Sequence, residues 1–109
     1  MPGRPLVKFV VFVPETHADV VREALGQAGS GKIGNYSFCS FSVKGVGRFK
    51  PQQGAHPTIG EVGKVEAVAE ERIEVVCDRT NLPRILAAVK KVHPYEEVAF
   101  DLYPLETIT

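Results

Sequence analysis

The order of apolar patterns along the 109-residue chain constrains its fold more than any other sequence feature. Apolar residues that run together or alternate predict strands, and apolar residues at three- and four-residue spacing predict helices. The patterns predict strands at Leu6–Val13, Tyr36–Phe49, Gly60–Asp78 and from Val98 onward, and helices at Thr16–Ala28 and between a cap at Thr80 or Asn81 and a stop at Pro94. This β-α-β-β-α-β order is the α+β, ferredoxin-like arrangement. Right-handed crossovers then place two helices on one face of a four-stranded antiparallel sheet.

Boundary signals support both helices. Thr16 is expected to cap the first helix with Asp19 as its partner, and Gly29 is expected to end it. Pro83 suits the first turn of the second helix, where a missing N–H costs little. Pro94 stops that helix, because the residue before a proline is driven out of the helical region.

The region between the second and third strands is rich in turn residues. Gly45 and Gly47 predict a bulge or a close backbone approach near the end of the second strand. The segment Lys50–Thr58 carries two prolines and two glutamines, which predicts an exposed loop. The adjacent Glu70 and Glu71 predict an exposed or interrupted stretch of the return strand.

Composition restricts the partners and the compartment. Thirteen Lys plus Arg balance thirteen Asp plus Glu, which argues against bulk electrostatic binding of nucleic acid or a membrane surface. The apolar run Phe9–Val13, which no other run exceeds, is too short for a membrane span, and the start of the chain has no apolar signal-peptide core. We therefore expect a cytoplasmic protein. Cys39 and Cys77 are predicted to be reduced thiols that come close on one buried face.

The glycines after the first helix match two phosphate-binding motifs in spacing alone. Gly29–Gly34 fits G-x-G-x-x-G, and Gly26–Lys32 fits most of a P-loop, although Ile33 replaces the required Ser or Thr. A phosphate cradle needs a strand before the glycines and a helix after them. Here a helix precedes and a strand follows, so the sequence argues against nucleotide binding through either motif.

The main candidate site is the run His93-Pro94-Tyr95-Glu96-Glu97, at the predicted junction of the last helix and the last strand. His93 and Glu96 are candidate ligands for a divalent metal, since imidazole and carboxylate suit Zn, Cu or Mn. Tyr95 joins them as a candidate small-ligand contact. In an extended strand Glu96 and Glu97 point to opposite faces, so at most one would join His93. The alternative is structural: His93 caps the helix end, Tyr95 packs, and Glu96 meets backbone or lysine partners.

A second candidate ligand site combines Asn35, Tyr36 and Ser37 with Arg48 near the glycine-rich turn. Their amide, phenol, hydroxyl and guanidinium groups would form a polar pocket. The alternative is that Asn35 and the neighbouring glycines supply left-handed backbone conformations. The sequence shows no readable Ser-His-Asp or Cys-His arrangement, so no catalytic residue and no enzymatic activity are predicted.

The face of the sheet away from the helices is predicted to be bare. Tyr36, Phe38 and Val76 are expected to lie on it. A bare, partly apolar sheet face commonly meets a partner. Closed self-association is the economical way to cover it, which predicts a homo-oligomer.

Four segments of the chain stand out together: Ile33–Phe41, Gly45–Pro51, Gly54–Gly60 and His93–Glu97. In this order they resemble the YqfO-type domain of the NIF-three-like dinuclear-metal family, a domain similar in fold to the PII signalling proteins and the CutA proteins. The resemblance implies a single PII/CutA-like domain over residues 1–109 that packs as a trimer rather than a dimer. It implies no enzymatic activity, because 109 residues leave no room for the family's metal-binding domains.

The leading hypothesis is a non-enzymatic, PII/CutA-like oligomeric module that binds a small ligand or a divalent metal between subunits, with a regulatory role. It rests on the fold analogy and on the His93–Glu97 run. The alternative is a protein-interaction or assembly domain with no small-molecule ligand, which the bare sheet face and the Lys50–Thr58 loop motivate. A hydrolase is a third and weaker hypothesis.

Overall fold

The computed structural model describes residues 5–108, so the expectation of no signal peptide lies partly outside the described residues. The elements follow the predicted order. The strands are β1 (Leu6–Pro14), β2 (Phe41–Phe49), β3 (Glu66–Asp78) and β4 (Phe100–Leu105), and the helices are α1 (Ala18–Gln27) and α2 (Leu82–Val92). Each helix is preceded by one 3-10 turn, Glu15–His17 or Arg79–Asn81. The predicted α+β, ferredoxin-like fold is confirmed.

The sheet is antiparallel, with the strand order β2-β3-β1-β4. Central strand β1 places Val7 opposite Cys77 of β3 on one side and opposite Pro104 of β4 on the other. Strand β2 pairs with β3 along its whole length, from Phe41 opposite Glu74 onward. Residues 66–69 of β3 extend beyond β1 and pair with β2 alone. Strands β1 and β2 therefore run parallel to each other, as do β3 and β4, and each pair is joined by a helical crossover.

Strand alternation turns one face of the sheet toward the two helices. The buried side chains of this face are Val7, Phe9, Val11 and Val13 of β1 and Ile73, Val75 and Cys77 of β3, which meet Val21, Leu25, Ile85 and Val89 of the helices. Burying one such Val, Leu, Ile or Phe side chain is worth about 1.5–3 kcal/mol. Most of the apolar stabilisation therefore lies between the helices and this face.

The predicted end of the first helix is confirmed. Gly29 has φ 95°, in the left-handed region that glycine tolerates. The Ser30 N–H donates to the Leu25 carbonyl at 3.1 Å, and the Gly29 N–H donates to the Gly26 carbonyl at 3.0 Å. This pair of bonds is the Schellman arrangement, which satisfies the last carbonyls of α1.

The second helix begins and ends as predicted, but its cap works differently. Pro83 lies in the first turn, and His93 leaves the helix with φ −74° and ψ 133° directly before Pro94. Asn81 is the cap residue but makes no side-chain bond to its own helix. Its Nδ2 instead donates to the Ala28 carbonyl at 2.9 Å and thereby ties α2 to the end of α1.

The predicted cap of the first helix is wrong. Thr16 lies in the 3-10 turn, where its Oγ1 is 2.8 Å from Nδ1 of His17. Asp19 pairs with Arg22 on the next turn of α1 instead of returning to the helix start. The 3-10 turn moves the cap position from Thr16 to His17, so α1 begins at Ala18, one residue later than the motif implies.

Strands β2 and β3 begin later than predicted. Residues 36–40 are irregular, because the backbone groups of Ile33 and Tyr36 close a turn on each other at 2.9 and 3.0 Å. Phe38 has φ 60° and lies over α1, where a Cβ on Gly26 would be 2.0 Å from its ring. Tyr36 and Phe38 are therefore not on the bare sheet face, whereas Val76 is, since it alternates with the core residues of β3. Residues 50–65 form the connecting loop, so the return strand begins at 66 rather than 60.

The two cysteines do not share a buried face. Cys77 is buried in the core, where burial raises the pKa of its thiol. Cys39 lies in the irregular segment before β2 and is half-buried. Both are free thiols, so the predicted core position is confirmed for Cys77 and wrong for Cys39.

Strand β3 runs without interruption through Glu70 and Glu71, both of them 9% exposed, so the expectation of an exposed stretch is wrong. Glu71 faces the helices, where Nη1 of Arg22 donates to its Oε1 at 2.6 Å. Glu70 faces the other side, directly opposite Gly45. A Cβ on Gly47 would be 2.1 Å from Oε1 of Glu70, so a close approach replaces the bulge at this end of β2.

Candidate functional site

The His93–Glu97 run crosses from the end of α2 to the start of β4. Residues 93–99 bend and carry no strand, and the last strand begins at Phe100 rather than at Val98. Pro94 supplies no N–H for either helix or ladder, which accounts for the irregular backbone. Strand alternation therefore does not separate Glu96 and Glu97 as predicted, and both are exposed.

The His93 ring is 7% exposed, and both of its nitrogens have partners. Nδ1 accepts from the Tyr95 N–H at 3.1 Å, and Nε2 is 2.8 Å from the Phe12 carbonyl. Because Nδ1 accepts, the proton is on Nε2 and is donated to Phe12. The Phe12 N–H donates to the Ala99 carbonyl at 3.1 Å. The imidazole thus supplies a donor at the edge of β1 just beyond the β1–β4 ladder.

The protonation state of His93 follows from its surroundings. Burial lowers the pKa of this imidazole below its ordinary value, although the bond to the Phe12 carbonyl and the negative charge of Glu70 both raise it. The ring is therefore neutral near physiological pH. A metal ion at either nitrogen would have to displace one of the two hydrogen bonds.

Tyr95 connects the His93–Glu97 run to β3. Its hydroxyl donates to Oε2 of Glu70 at 3.3 Å. Its ring centroid lies 5.3 Å from that of His93 and 5.6 Å from that of Phe49, which it meets edge to face. Burial, then the charge of Glu70 and the bond to it, raise the pKa of Tyr95 to about 12. The phenol is therefore a protonated donor over the physiological range.

The loop of residues 50–65 contacts the same run. Thr58 Oγ1 donates to the Pro94 carbonyl at 2.7 Å, and the His56 backbone N–H donates to Oε1 of Glu96 at 2.9 Å. His56 therefore contributes its backbone here rather than its ring. These two bonds fix one wall of a concave surface against the other.

A groove of about 280 Å³ lies between the loop and the run. Its walls are Phe49, Pro51, Ala55, Pro57, Ile59 and Tyr95, with Lys50, Glu96 and Glu97 adding charged groups. A concave apolar surface with a few polar groups is typical of small-ligand sites. We call this surface the loop groove.

The predicted ligand-binding residues fall in three places. Those of the His93–Glu97 run lie together beside the loop groove. Arg48 lines a second cavity of about 290 Å³ on the other side of Tyr95. Asn35 and Tyr36 lie at the tip of the irregular turn, with Tyr36 75% exposed, and line neither cavity.

Sequence reasoning missed Glu70 and the loop wall around Ile59. The adjacent glutamates predict an exposed stretch, whereas Glu70 is 9% exposed. Strand alternation counted from Ile73 would have placed Glu71 toward the helices and Glu70 on the opposite face. Gly47 is a second sequence signal for this contact, since a glycine in a strand often marks a close approach of another group to the backbone.

The described residues do not assemble a metal centre within one protomer. Between residues 5 and 108, no three His, Cys, Asp or Glu side chains converge on one point. Metal sites usually take three or more protein ligands. The divalent metal at His93 and Glu96 stays a prediction, and it requires further ligands from another subunit.

The sequence is similar to one segment of several longer bacterial proteins. The chain is 56% identical over 100 residues to the GTP cyclohydrolase 1 type 2 homolog of Halalkalibacterium halodurans and 52% identical over 102 residues to that of Bacillus subtilis. These alignments cover 92% and 94% of the chain but 27% of each relative, so the chain spans about a quarter of the curated relatives it matches. No family model matches it.

Two solved structures superpose on nearly the whole chain. A Bacillus cereus protein related to NIF3 superposes with a TM-score of 0.85 and 47% identity, over 98% of this chain and 28% of that one. CutA1 from Shewanella sp. SIB1 superposes with a TM-score of 0.71 and 17% identity, over 98% of this chain and 88% of that one. The second likeness is one of fold alone. Among residues 5–108, no helix is long and apolar enough to cross a membrane.

These comparisons agree with the resemblance carried by the four sequence segments. The chain matches one segment of its relatives rather than their whole length. The resemblance to the YqfO-type domain of NIF-three-like proteins is confirmed, and the chain shares its fold with the CutA proteins.

Proposed function

We propose that this chain is a non-enzymatic, self-associating module that binds a small ligand or a divalent metal beside the His93–Glu97 run, between subunits, in a regulatory role. The loop groove carries the proposal. It is apolar, it has charged groups at Lys50, Glu96 and Glu97, and two hydrogen bonds hold its walls together. A preformed cleft of this kind binds ligand at a low ordering cost.

Self-association is supported by the bare sheet face. Phe41 is 64% exposed, Val43 48% and Tyr103 40%, and all three lie on this face by strand alternation. Their exposure on one sheet face favours burial against a partner. A closed homo-oligomer, with a trimer favoured over a dimer, would cover this sheet face on every subunit.

The chemistry of the run supports binding rather than catalysis. His93 is neutral, but both nitrogens are engaged in the fold. The raised pKa of Tyr95 keeps its phenol protonated. A general base needs a free lone pair within reach of a substrate proton. These two groups hold the shape of the loop groove, and recognition falls to its lining side chains, among them the Tyr95 ring.

The small-ligand form of the proposal is tested with a fragment mixture and amide NMR. Wild type is expected to show saturable shifts at Ala55, Ile59 and Tyr95, and Ile59→Asp is expected to lose them. Ile108→Asp is the matched control, because Ile108 is 99% exposed and lies outside the loop groove. Equal shifts in both variants would contradict the site.

The metal form is tested by calorimetric titration of Zn, Cu and Mn into wild type, His93→Ala and Glu96→Gln. Saturable heat in wild type that both variants lose is the expected result. Glu97→Gln is the control, since it removes the neighbouring carboxylate. Absence of heat with all three metals in wild type would end the metal form.

A protein-interaction or assembly domain with no small-molecule ligand is the second candidate. The observation that favours it is the exposure of Val62 and Val65, at 51% and 67%, on the loop but outside the loop groove. A partner recovered by wild type and by Ile59→Asp, but lost with the Val62→Ser, Val65→Ser double variant, would favour this function. The reverse pattern would favour the ligand-binding module.

A further inference from the structure

Glu70 is a buried carboxylate whose charge has no cationic partner within the described protomer. It is 9% exposed, and its hydrogen bond from Tyr95 is 3.3 Å long. The two cations on the same sheet face are engaged elsewhere: Lys8 lies 3.0 Å and Arg72 3.1 Å from Glu74. Among residues 5–108, no Lys, Arg or His side chain makes an ion pair with Glu70.

Such an arrangement is unfavourable for an isolated protomer. An ionised carboxylate loses its hydration on burial, and one long hydrogen bond from a neutral phenol replaces little of it. Charge-assisted bonds to carboxylates are shorter and about twice as strong as neutral ones. The position therefore favours a positively charged donor that comes from outside the protomer.

The cavity beside Glu70 is shaped to receive that donor. Its volume is about 290 Å³, and Phe12, Phe49, Tyr95 and Gly47 line it together with Glu70. A Cβ on Gly47 would be 2.1 Å from Oε1 of Glu70, so the carboxylate lies against the backbone of β2 where only glycine leaves room. The cavity therefore combines three aromatic rings with one carboxylate.

The residues that line the cavity favour one chemical class of ligand, an organic cation. Aromatic faces attract organic cations, and the same sheet face already holds one: the Arg72 guanidinium lies 5.8 Å from the Phe12 ring and 6.0 Å from the Tyr103 ring. A metal ion is disfavoured, because one carboxylate is too few protein ligands. Arg48 lines the same cavity without pairing with Glu70, so the carboxylate keeps its capacity to accept.

We propose that Glu70, with the hydroxyl of Tyr95 and the rings of Phe12 and Phe49, binds an ammonium or guanidinium group. The group comes either from a small organic cation or from a Lys or Arg side chain of a second copy of this chain. The site shares Phe49 and Tyr95 with the loop groove but opens on their other side. The inference does not rest on the proposed function, since Glu70 lacks a counter-charge among residues 5–108.

The test uses butylammonium as the probe and butanol as its neutral isostere, followed by amide NMR on the full chain. We expect saturable shifts at Gly47, Tyr95 and Ala99 with butylammonium and none with butanol. Glu70→Gln is expected to weaken the binding by about tenfold or more, since it removes a charge-assisted bond. Glu15→Gln is the matched control, because Glu15 is exposed and loses the same charge.

A second arm identifies a cation supplied by another subunit. In that case butylammonium does not bind wild type, and Glu70→Gln weakens self-association by about tenfold in sedimentation, an effect that added salt reproduces. Gly47→Ala keeps the charge but displaces the carboxylate, so it should behave like Glu70→Gln in whichever arm is positive. The proposal is overturned if neither arm responds to Glu70→Gln, if Glu15→Gln has the same effect, or if Gly47→Ala behaves as wild type.

Discussion

Replacing His93 by Ala should destabilise the fold more than removal of either other histidine, because the His93 ring joins three segments. It links the end of α2, the edge of β1 at Phe12 and the backbone of Tyr95. The substitution removes both ring hydrogen bonds and leaves a space where a 7% exposed side chain was packed. The perturbation is therefore structural, although the sequence also makes His93 a candidate ligand.

The magnitude can be worked out from these contacts. The Phe12 carbonyl loses its ring donor, which costs about 1–3 kcal/mol, and the lost bond from the Tyr95 N–H adds about 1 kcal/mol. Removal of the ring from its contact with Tyr95 adds about 1 kcal/mol for the space left behind. The free energy of unfolding should fall by about 3–5 kcal/mol, which corresponds to a Tm lower by about 15 °C or more for a domain of this size.

The assay is urea unfolding followed by circular dichroism. His56→Ala is the control, because His56 is exposed and bonds through its backbone, and it should change the free energy of unfolding by less than about 0.5 kcal/mol. A loss below about 1 kcal/mol for His93→Ala would refute the structural role assigned to both ring nitrogens.

The same residue predicts a pH dependence. The pKa of His93 is lower in the folded protein than its ordinary value of 6.5, so the unfolded chain takes up the proton first. The contribution of the neutral ring is fully present above pH 6.5 and is lost as the pH falls from 6.5 through the folded value. Subtracting the His93→Ala curve from the wild-type curve should isolate this loss, and parallel curves would contradict it.

Three further predictions rest on other contacts. Gly26→Ala should lower the free energy of unfolding in urea, because the new methyl group displaces the Phe38 ring. In a Phe38→Ala background the same substitution should instead stabilise α1 by about 1 kcal/mol. Stabilisation in both backgrounds would contradict the contact between Gly26 and Phe38. Arg22→Ala should cost about 3 kcal/mol by leaving Glu71 buried without its partner, and a loss within 1 kcal/mol or so would contradict that pairing. Wild type should lose stability as the pH rises from 10 through about 12, whereas Tyr95→Phe should not.

Much of the fold was predictable because hydrophobic period and boundary residues agree. Gly29, Pro83 and Pro94 each mark a helix boundary for a local steric reason, and the structure keeps all three. The start of β2 was not predictable. Residues 36–40 alternate like a strand, but the close contact between Phe38 and Gly26 holds them over α1 instead.

The candidate site was predictable in its position but not in its contacts. His93 and Tyr95 stood out because an imidazole and a phenol flank a proline at an element boundary. The bond from His93 to Phe12 spans 81 residues, and local pattern carries no information about it. The burial of Glu70 likewise depends on strand register and on Gly47, so it emerged only with the sheet pairing.

Self-association of this chain through its bare sheet face is tested most directly by its mass in solution. Light scattering should give three times the 11.9 kDa protomer mass for wild type. Phe41→Glu, which places a charge on the exposed face without touching the core, should give the mass of one protomer. Wild type that stays at the mass of one protomer at every concentration would contradict the account.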